Sequence, residues 1–250
     1  MKSPLAADYH LKLKLDDSYE VCGHVRGLVC LHDLRNVKEK QETAHVICNP
    51  STGQLLPLPK VKTNKSARSF LGFDPTGQEF KVLTITGGVE HRVLTLGTRK
   101  IEWRMMECCI PDHYPTRCGI CINGGVYYEA WVKNSARAIV CFDVRLEKFS
   151  VINPAEGMDL LLDTLVNYKG KLGLLAKESR RFELWVLEDA ETHEWSKNVS
   201  VLPLPLWKSV VAGEATLYTV GVAGGTNEVV LWRHSGYDPL YVYYYNMEKS

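Results

Sequence analysis

Between positions 108 and 121 the chain gathers four thiols and an imidazole: Cys108, Cys109, His113, Cys118 and Cys121. A Cys-x-x-Cys pair with an upstream Cys and His can supply the soft ligands that zinc takes in structural sites. The pattern falls short of that chemistry, because no second Cys-x-x-Cys follows and the two cysteines of the pair would point to opposite faces of a shared strand. The expectation is therefore no metal ligand and no cofactor, with the thiols packed as small buried groups. No helix follows the pair to depress a thiol pKa, so redox chemistry is not expected either.

Other residue types that could do chemistry are explained by the chain around them. His32 with Asp33, and Asp112 with His113, offer a base beside a carboxylate. Sequence neighbours rarely face one another, and no Gly-x-Ser-x-Gly elbow accompanies them. Asp74, Asp143 and Asp189 stand where polar turns begin, positions where Asp is accounted for by bonds to the local backbone. A carboxylate pair for glycoside hydrolysis stays open, since the separation that defines one is spatial. The GVAGGT stretch at 221–226 lacks the spacing of a dinucleotide loop and reads as a hairpin turn. Lys60, Lys62, Lys65 and Arg68 cluster with no stacking aromatic among them and read as a solvated connector. No catalytic residue is assigned, and the chain is not expected to be an enzyme.

Composition narrows the partners. Lys and Arg number 30 against 29 Asp and Glu, a net charge of +1, so no overall field draws nucleic acid or an anionic membrane. No apolar run reaches the roughly 18 residues of a membrane span, and Lys residues interrupt the N-terminal apolar positions where an export signal would need a block. The expected address is the cytoplasm or nucleus, where the eight cysteines stay reduced. The sequons at Asn64 and Asn198 are then chance matches. At 250 residues and 45% hydrophobic, the chain can build one core of its own.

The elements that would carry any site are strands. VICNPSTGQLLPLP, FLGFDPTGQEFKVLTI, HRVLTLGTRKIEWRMM and AIVCFDVRLEKFSVI each read as strand, polar turn, strand, rich in β-branched and aromatic residues. YKGKLGLLA, FELWVLEDAETHEW, TLYTVGV, EVVLWRH and LYVYYYNMEK continue the series, and only 157–164 suggests a short helix. Asn49, Gly97, Asp143 and Asp189 each open a turn, and six positions later stand Leu55, Trp103, Phe149 and Trp195. Intervals of 48, 46 and 46 residues separate the four turns, within the roughly 40 to 50 residues of a propeller blade. The expected fold is an all-β, kelch-like propeller of five or six four-stranded blades, with the bulky residue filling the gap between blades. A β-sandwich with coincidental spacing is the competing architecture. Residues 25–250 would form the propeller, and residues 1–24 an N-terminal strand, centred on 9–15, that completes the last blade.

In such a ring, equivalent connectors emerge together, here at about 60–68, 110–117, 153–164 and 200–212. The second carries His113 and Tyr114, the fourth Trp207, and large aromatic residues are frequent anchors of protein interfaces. His113, Tyr114 and Trp207 are thus candidate partner-binding residues, with Tyr114 and Trp207 as simple blade caps the alternative.

Five segments in order, VICNPSTGQLLPLP, SFLGFDPTGQEFKVL, VLTLGTRKIEWR, INGGVYY and IVCFDVRLEKFSVI, closely resemble the type 3 F-box associated domain of plant F-box proteins. The resemblance spans about 25–245 and implies a β-propeller that acts as a non-enzymatic recognition module. It further implies an F-box that docks on the adaptor of a cullin-RING ubiquitin ligase while this domain holds a substrate protein. No F-box is recognisable in this chain, so coupling to the adaptor is expected only where an F-box is supplied. A decoy or truncated paralogue, or a propeller-fold carbohydrate-binding protein or glycosidase, is the alternative.

Overall fold

The computed structural model describes residues 5–6, 19–33, 42–63, 65–132, 136–160, 163–204, 207–208, 216–224, 227–234 and 241–247. All regular elements among them that carry the argument are antiparallel strands. The first sheet runs β2 (Tyr19–Val25), β3 (Leu28–Asp33), β4 (Glu42–Asn49) and β5 (Gln54–Pro57), with β6 (Val61–Lys62) also on β4. The second is β7 (Ala67–Asp74), β8 (Glu79–Thr86), β9 (Glu90–Thr95) and β10 (Arg104–Met106). The third places β11 (His113–Pro115) and β12 (Ile120–Ile122) on β13 (Gly125–Val132), followed by β14 (Ala136–Asp143) and β15 (Lys148–Ile152).

The fourth sheet is β16 (Thr164–Tyr168), β17 (Lys171–Glu178), β18 (Arg181–Asp189) and β19 (Glu194–Val201). The fifth is β20 (Thr216–Val222), β21 (Val229–His234) and β22 (Tyr241–Tyr245), completed by β1 (Leu5–Ala6). Among the described residues there are five sheets, the lower of the two expected blade numbers. They fall into two compact units, one of residues 10–154 with three sheets, the other of residues 1–9 and 155–250 with two.

The local reason for the hairpins is legible in side chains. Asn49 Oδ1 accepts the Ser51 amide, Asp74 Oδ1 that of Thr76, Asp143 Oδ1 that of Leu146, and Asp189 Oδ1 those of Glu191 and Thr192. Four residues after each cap the backbone turns left-handed, at Gly53, Gln78, Glu147 and His193. A short acceptor that bonds its own turn, then one residue with positive φ, returns the strand in register.

Packing follows from sheets stacked face on face. In the second sheet Phe70, Leu83 and Val93 join Val126, Tyr128 and Phe142 of the third. Their immediate neighbours Leu71, Val82 and Leu94 point the other way and join Cys30 and Ile47 of the first. Alternation puts successive residues on opposite faces, so a sheet covered on both sides is buried on both faces, as the continuous buried run of β7 shows. At Gly72 a Cβ would come within 2.8 Å of a Val126 methyl, so the two sheets approach too closely there for any other residue. In the other unit, Val166, Leu175, Phe182 and Leu184 pack against Leu231, Tyr243 and Tyr245.

One expectation changes. The bulky residue six positions after each turn is not the gap filler: Phe149 is buried at 7% exposure, but Leu55 is 53% exposed, and Trp103 and Trp195 are half-buried. These residues lie on or beside the terminal strand of each sheet, where pairing on one side leaves an open edge, and the middle strands fill the core. Residues 161 and 162 of the stretch that suggested a short helix lie outside the described residues; beside them the Asp163 amide donates to the Asp159 carbonyl at 3.1 Å, and β16 begins at Thr164. The strand expected at 9–15 lies outside the described residues; Leu5 and Ala6 pair with Val242 and Tyr241 of β22.

Candidate functional site

β11 is short, and its alternation separates two neighbours. His113 points inward with 0% exposure, whereas Tyr114 is 52% exposed. His113 is therefore not a surface anchor, because the period of a strand sends it to the core while Tyr114 meets solvent. Register places Tyr114 opposite Trp131 on β13, and Trp131 opposite Arg137 on β14. Directly opposed residues share a face, so the three form a row across one end of the third sheet. Trp131 is 39% exposed, and the Arg137 guanidinium sits 4.3 Å from its ring centroid.

A concavity of about 530 Å³ adjoins this row, lined by Lys65, Arg68, Ile85, Val89, Tyr114 and Pro115. Its floor is the Gly87–Gly88 turn, where both residues have positive φ. A Cβ on Gly88 would come within 2.7 Å of the Tyr114 ring and 2.8 Å of the His113 carbonyl, and one on Gly87 would strike the Lys65 stem. Two expected connectors, 60–68 and 110–117, thus meet over a turn that only glycine can make. Of the basic cluster, Arg68 pairs with Glu20 at 2.7 Å and Lys60 with Glu42 at 3.1 Å, which leaves Lys65 as the cationic rim of the concavity. A second pocket of about 570 Å³ adjoins the open strand β5 at Leu55 and Leu56.

Trp207, in the other unit, is half-buried against the cluster that holds Val166, Leu175 and Phe182. Lys177 Nζ lies 5.9 Å from its ring centroid, and burial lowers the Lys177 pKa. Trp131, Arg137 and Val89 belong to strands and turns within a sheet, so position in a connector between sheets does not point to them. The signal was present in GVYYEAWV, where Val126, Tyr128 and Ala130 form the core stripe and leave Trp131 on the opposite face.

The residue pairs that suggested acid–base chemistry do not assemble. His32 Nε2 bonds Thr43 Oγ1, and its ring stacks on His45 at 5.2 Å. Asp112 is exposed while His113 is buried and joined through Nε2 to the Tyr128 hydroxyl at 2.9 Å. Of the five residues weighed for zinc, Cys108 and His113 come together, and their companion is His91: one ligand atom from each lies within 4.8 Å of the others. Cys118 Sγ lies at the Val21 carbonyl and Cys121 Sγ at the Phe73 backbone, away from that group.

Comparison with known proteins agrees with this architecture. The F-box associated beta propeller domain family matches residues 1–250. Among curated proteins of Arabidopsis thaliana, the F-box protein DOR is 43% identical over 264 residues, covering 99% of this chain and 66% of that protein. F-box protein At5g65850 is 43% identical over 244 residues, covering 93% of this chain and 60% of its own length. The chain therefore spans less than two thirds of each relative's length. Solved structures match more distantly, for example the β-propeller domain of the Trilobed protease from Pyrococcus furiosus, at 10% identity, 92% of this chain, 69% of that one and a TM-score of 0.47. With five antiparallel sheets and the family's pattern over its whole length, the chain belongs to the F-box associated β-propeller domain family.

Proposed function

We propose that this chain is a protein-recognition module that holds a substrate protein for a cullin-RING ubiquitin ligase, and that it does no chemistry itself. The observation that carries the reading is the row of exposed Tyr114 and Trp131 and half-buried Arg137 beside the concavity at Gly88. Aromatic and guanidinium side chains on a rigid sheet lose little conformational freedom when covered, and such residues dominate interface energies. The names of the relatives, F-box proteins, support the ligase setting. In that setting an F-box docks on the ligase adaptor while the propeller holds the target. Trp207 is a second anchor in this reading, on the other unit.

The test uses the full chain fused behind the F-box of a relative. Proteins captured from plant extract by the wild-type fusion, but not by a folded Tyr114→Ala/Trp131→Ala variant, are purified, titrated directly and offered to the reconstituted ligase. Loss of an anchor pair should weaken binding by about 2 kcal/mol or more, roughly thirtyfold. Ubiquitin transfer to a captured protein, abolished by the double variant, is the expected result. Equal capture by both fusions removes this surface from the reading, and capture without transfer removes the ligase role.

A further inference from the structure

We propose that His91, Cys108 and His113 form a binding site for one zinc ion, which ties the connector before β11 to β9. His91 lies on β9 opposite Met106, the last residue of β10, and Cys108 follows two residues later. His113 opens β11. Two short strand ends and one connector thus bring an imidazole, a thiol and a second imidazole together, with one ligand atom of each within 4.8 Å of the others. The two rings lie 5.0 Å apart.

The second observation is hydrogen bonding. His91 Nε2 and His113 Nδ1 are both buried, and neither has a hydrogen-bond partner. A buried polar atom without a partner is a standing cost that structures rarely carry, and here two of them converge on one thiol. His113 Nε2 is engaged by the Tyr128 hydroxyl. If Nε2 donates there, Nδ1 keeps its lone pair for a metal, the outer contact that metal-bound histidines use to fix their tautomer. His45 Nδ1 is also orphaned, but no such group of three ligands surrounds it among the described residues.

Ligand chemistry selects the ion. Imidazole nitrogen and thiolate suit zinc and exclude calcium and magnesium, which take oxygen. Binding replaces the Sγ–H bond by Sγ–Zn and releases one proton to buffer, with no change of oxidation state. His91 and Cys108 also line a pocket of about 550 Å³ that reaches Glu107, Cys109 and Asp112. It provides the entry path and room for a fourth ligand, a water or a carboxylate. His113 directly precedes Tyr114, so a bound ion would pin the strand that brings Tyr114 to the row.

The experiment uses the full chain, stripped with chelator and kept reduced. Zinc is titrated in competition with a chromophoric chelator, and cobalt is added separately as a spectroscopic probe. The expected result is one zinc per chain, and a cobalt spectrum with tetrahedral d–d bands and a thiolate charge-transfer band. Cys108→Ala should remove that band and weaken zinc by more than the roughly tenfold that loss of an outer contact costs. Tyr128→Phe, which keeps the ring and removes the hydroxyl, should weaken zinc by about tenfold. Cys109→Ala should leave binding unchanged. No saturable zinc binding, a cobalt spectrum without the thiolate band, or binding lost in Cys109→Ala but kept in Cys108→Ala would each overturn the site.

Discussion

His45 is held neutral by the burial that places it between the first and second sheets. Its Nε2 meets Ser69 Oγ at 2.6 Å, and Ser69 continues to Thr84 at 3.0 Å. Burial, and then the neighbouring His32, lower its pKa to about 3. The unfolded chain, with an ordinary histidine near 6.5, takes up a proton that the folded one refuses. Stability is therefore complete above the unfolded value, falls as pH drops below it, and stops falling near the folded value. Each such proton contributes a slope of about 1.4 kcal/mol per pH unit. His45→Gln keeps a polar partner for Ser69 and removes the titration, so urea melts of the variant between pH 6 and 4 should show a slope shallower by up to one proton. An unchanged slope would mean that the acid sensitivity lies with other groups, His32 first, whose pKa is also lowered by burial.

At the scale of elements, the second and third sheets are fastened by charge as well as by apolar contact. Lys81 of β8 reaches the Val144 carbonyl at 2.9 Å and Glu147 Oε1 at 2.8 Å, and Arg104 of β10 pairs with the same carboxylate. Burial opposes the charge on Glu147, but the bonds from Arg104 and Lys81 outweigh it and hold the carboxyl below its usual range. Lys81 is nearly buried, so removal of its partner's charge strands an ammonium between two sheets. Glu147→Gln should lower stability by roughly 2–3 kcal/mol, read as a lower urea midpoint with an unchanged slope. The wild-type contribution is present above the ordinary carboxylate pKa and is lost as pH falls through the depressed folded value, so the gap between the two proteins should close in acid.

At the scale of the molecule, the fifth sheet draws one strand from the other end of the chain. Leu5 and Ala6 lie on β22, the strand that ends at Tyr245. The pairing is two residues long, so its contribution is about that of one or two backbone hydrogen bonds, near 1 kcal/mol. Deletion of residues 1–6 should lower the melting temperature by roughly 2–4 °C and leave β22 as an open edge prone to pairing with another chain. A melting temperature equal to wild type would show that β22 is stable without β1.

The repeat was legible in the sequence because turns are local. Asn49, Asp143 and Asp189 bond amides two or three residues away, and the β-branched runs between them favour strands on steric grounds. Strand identity, blade period and family pattern could therefore be read without knowing what packs on what. Facing was another matter. His113 and Tyr114 are neighbours in the chain, yet one is core and the other surface, and β11 registers with Trp131 seventeen residues away. The row Tyr114–Trp131–Arg137 and the group His91–Cys108–His113 each draw on three separate segments of chain. Tertiary structure alone decided them, because alternation within a strand gives a residue's face but not its neighbours, which depend on register between strands far apart in the chain.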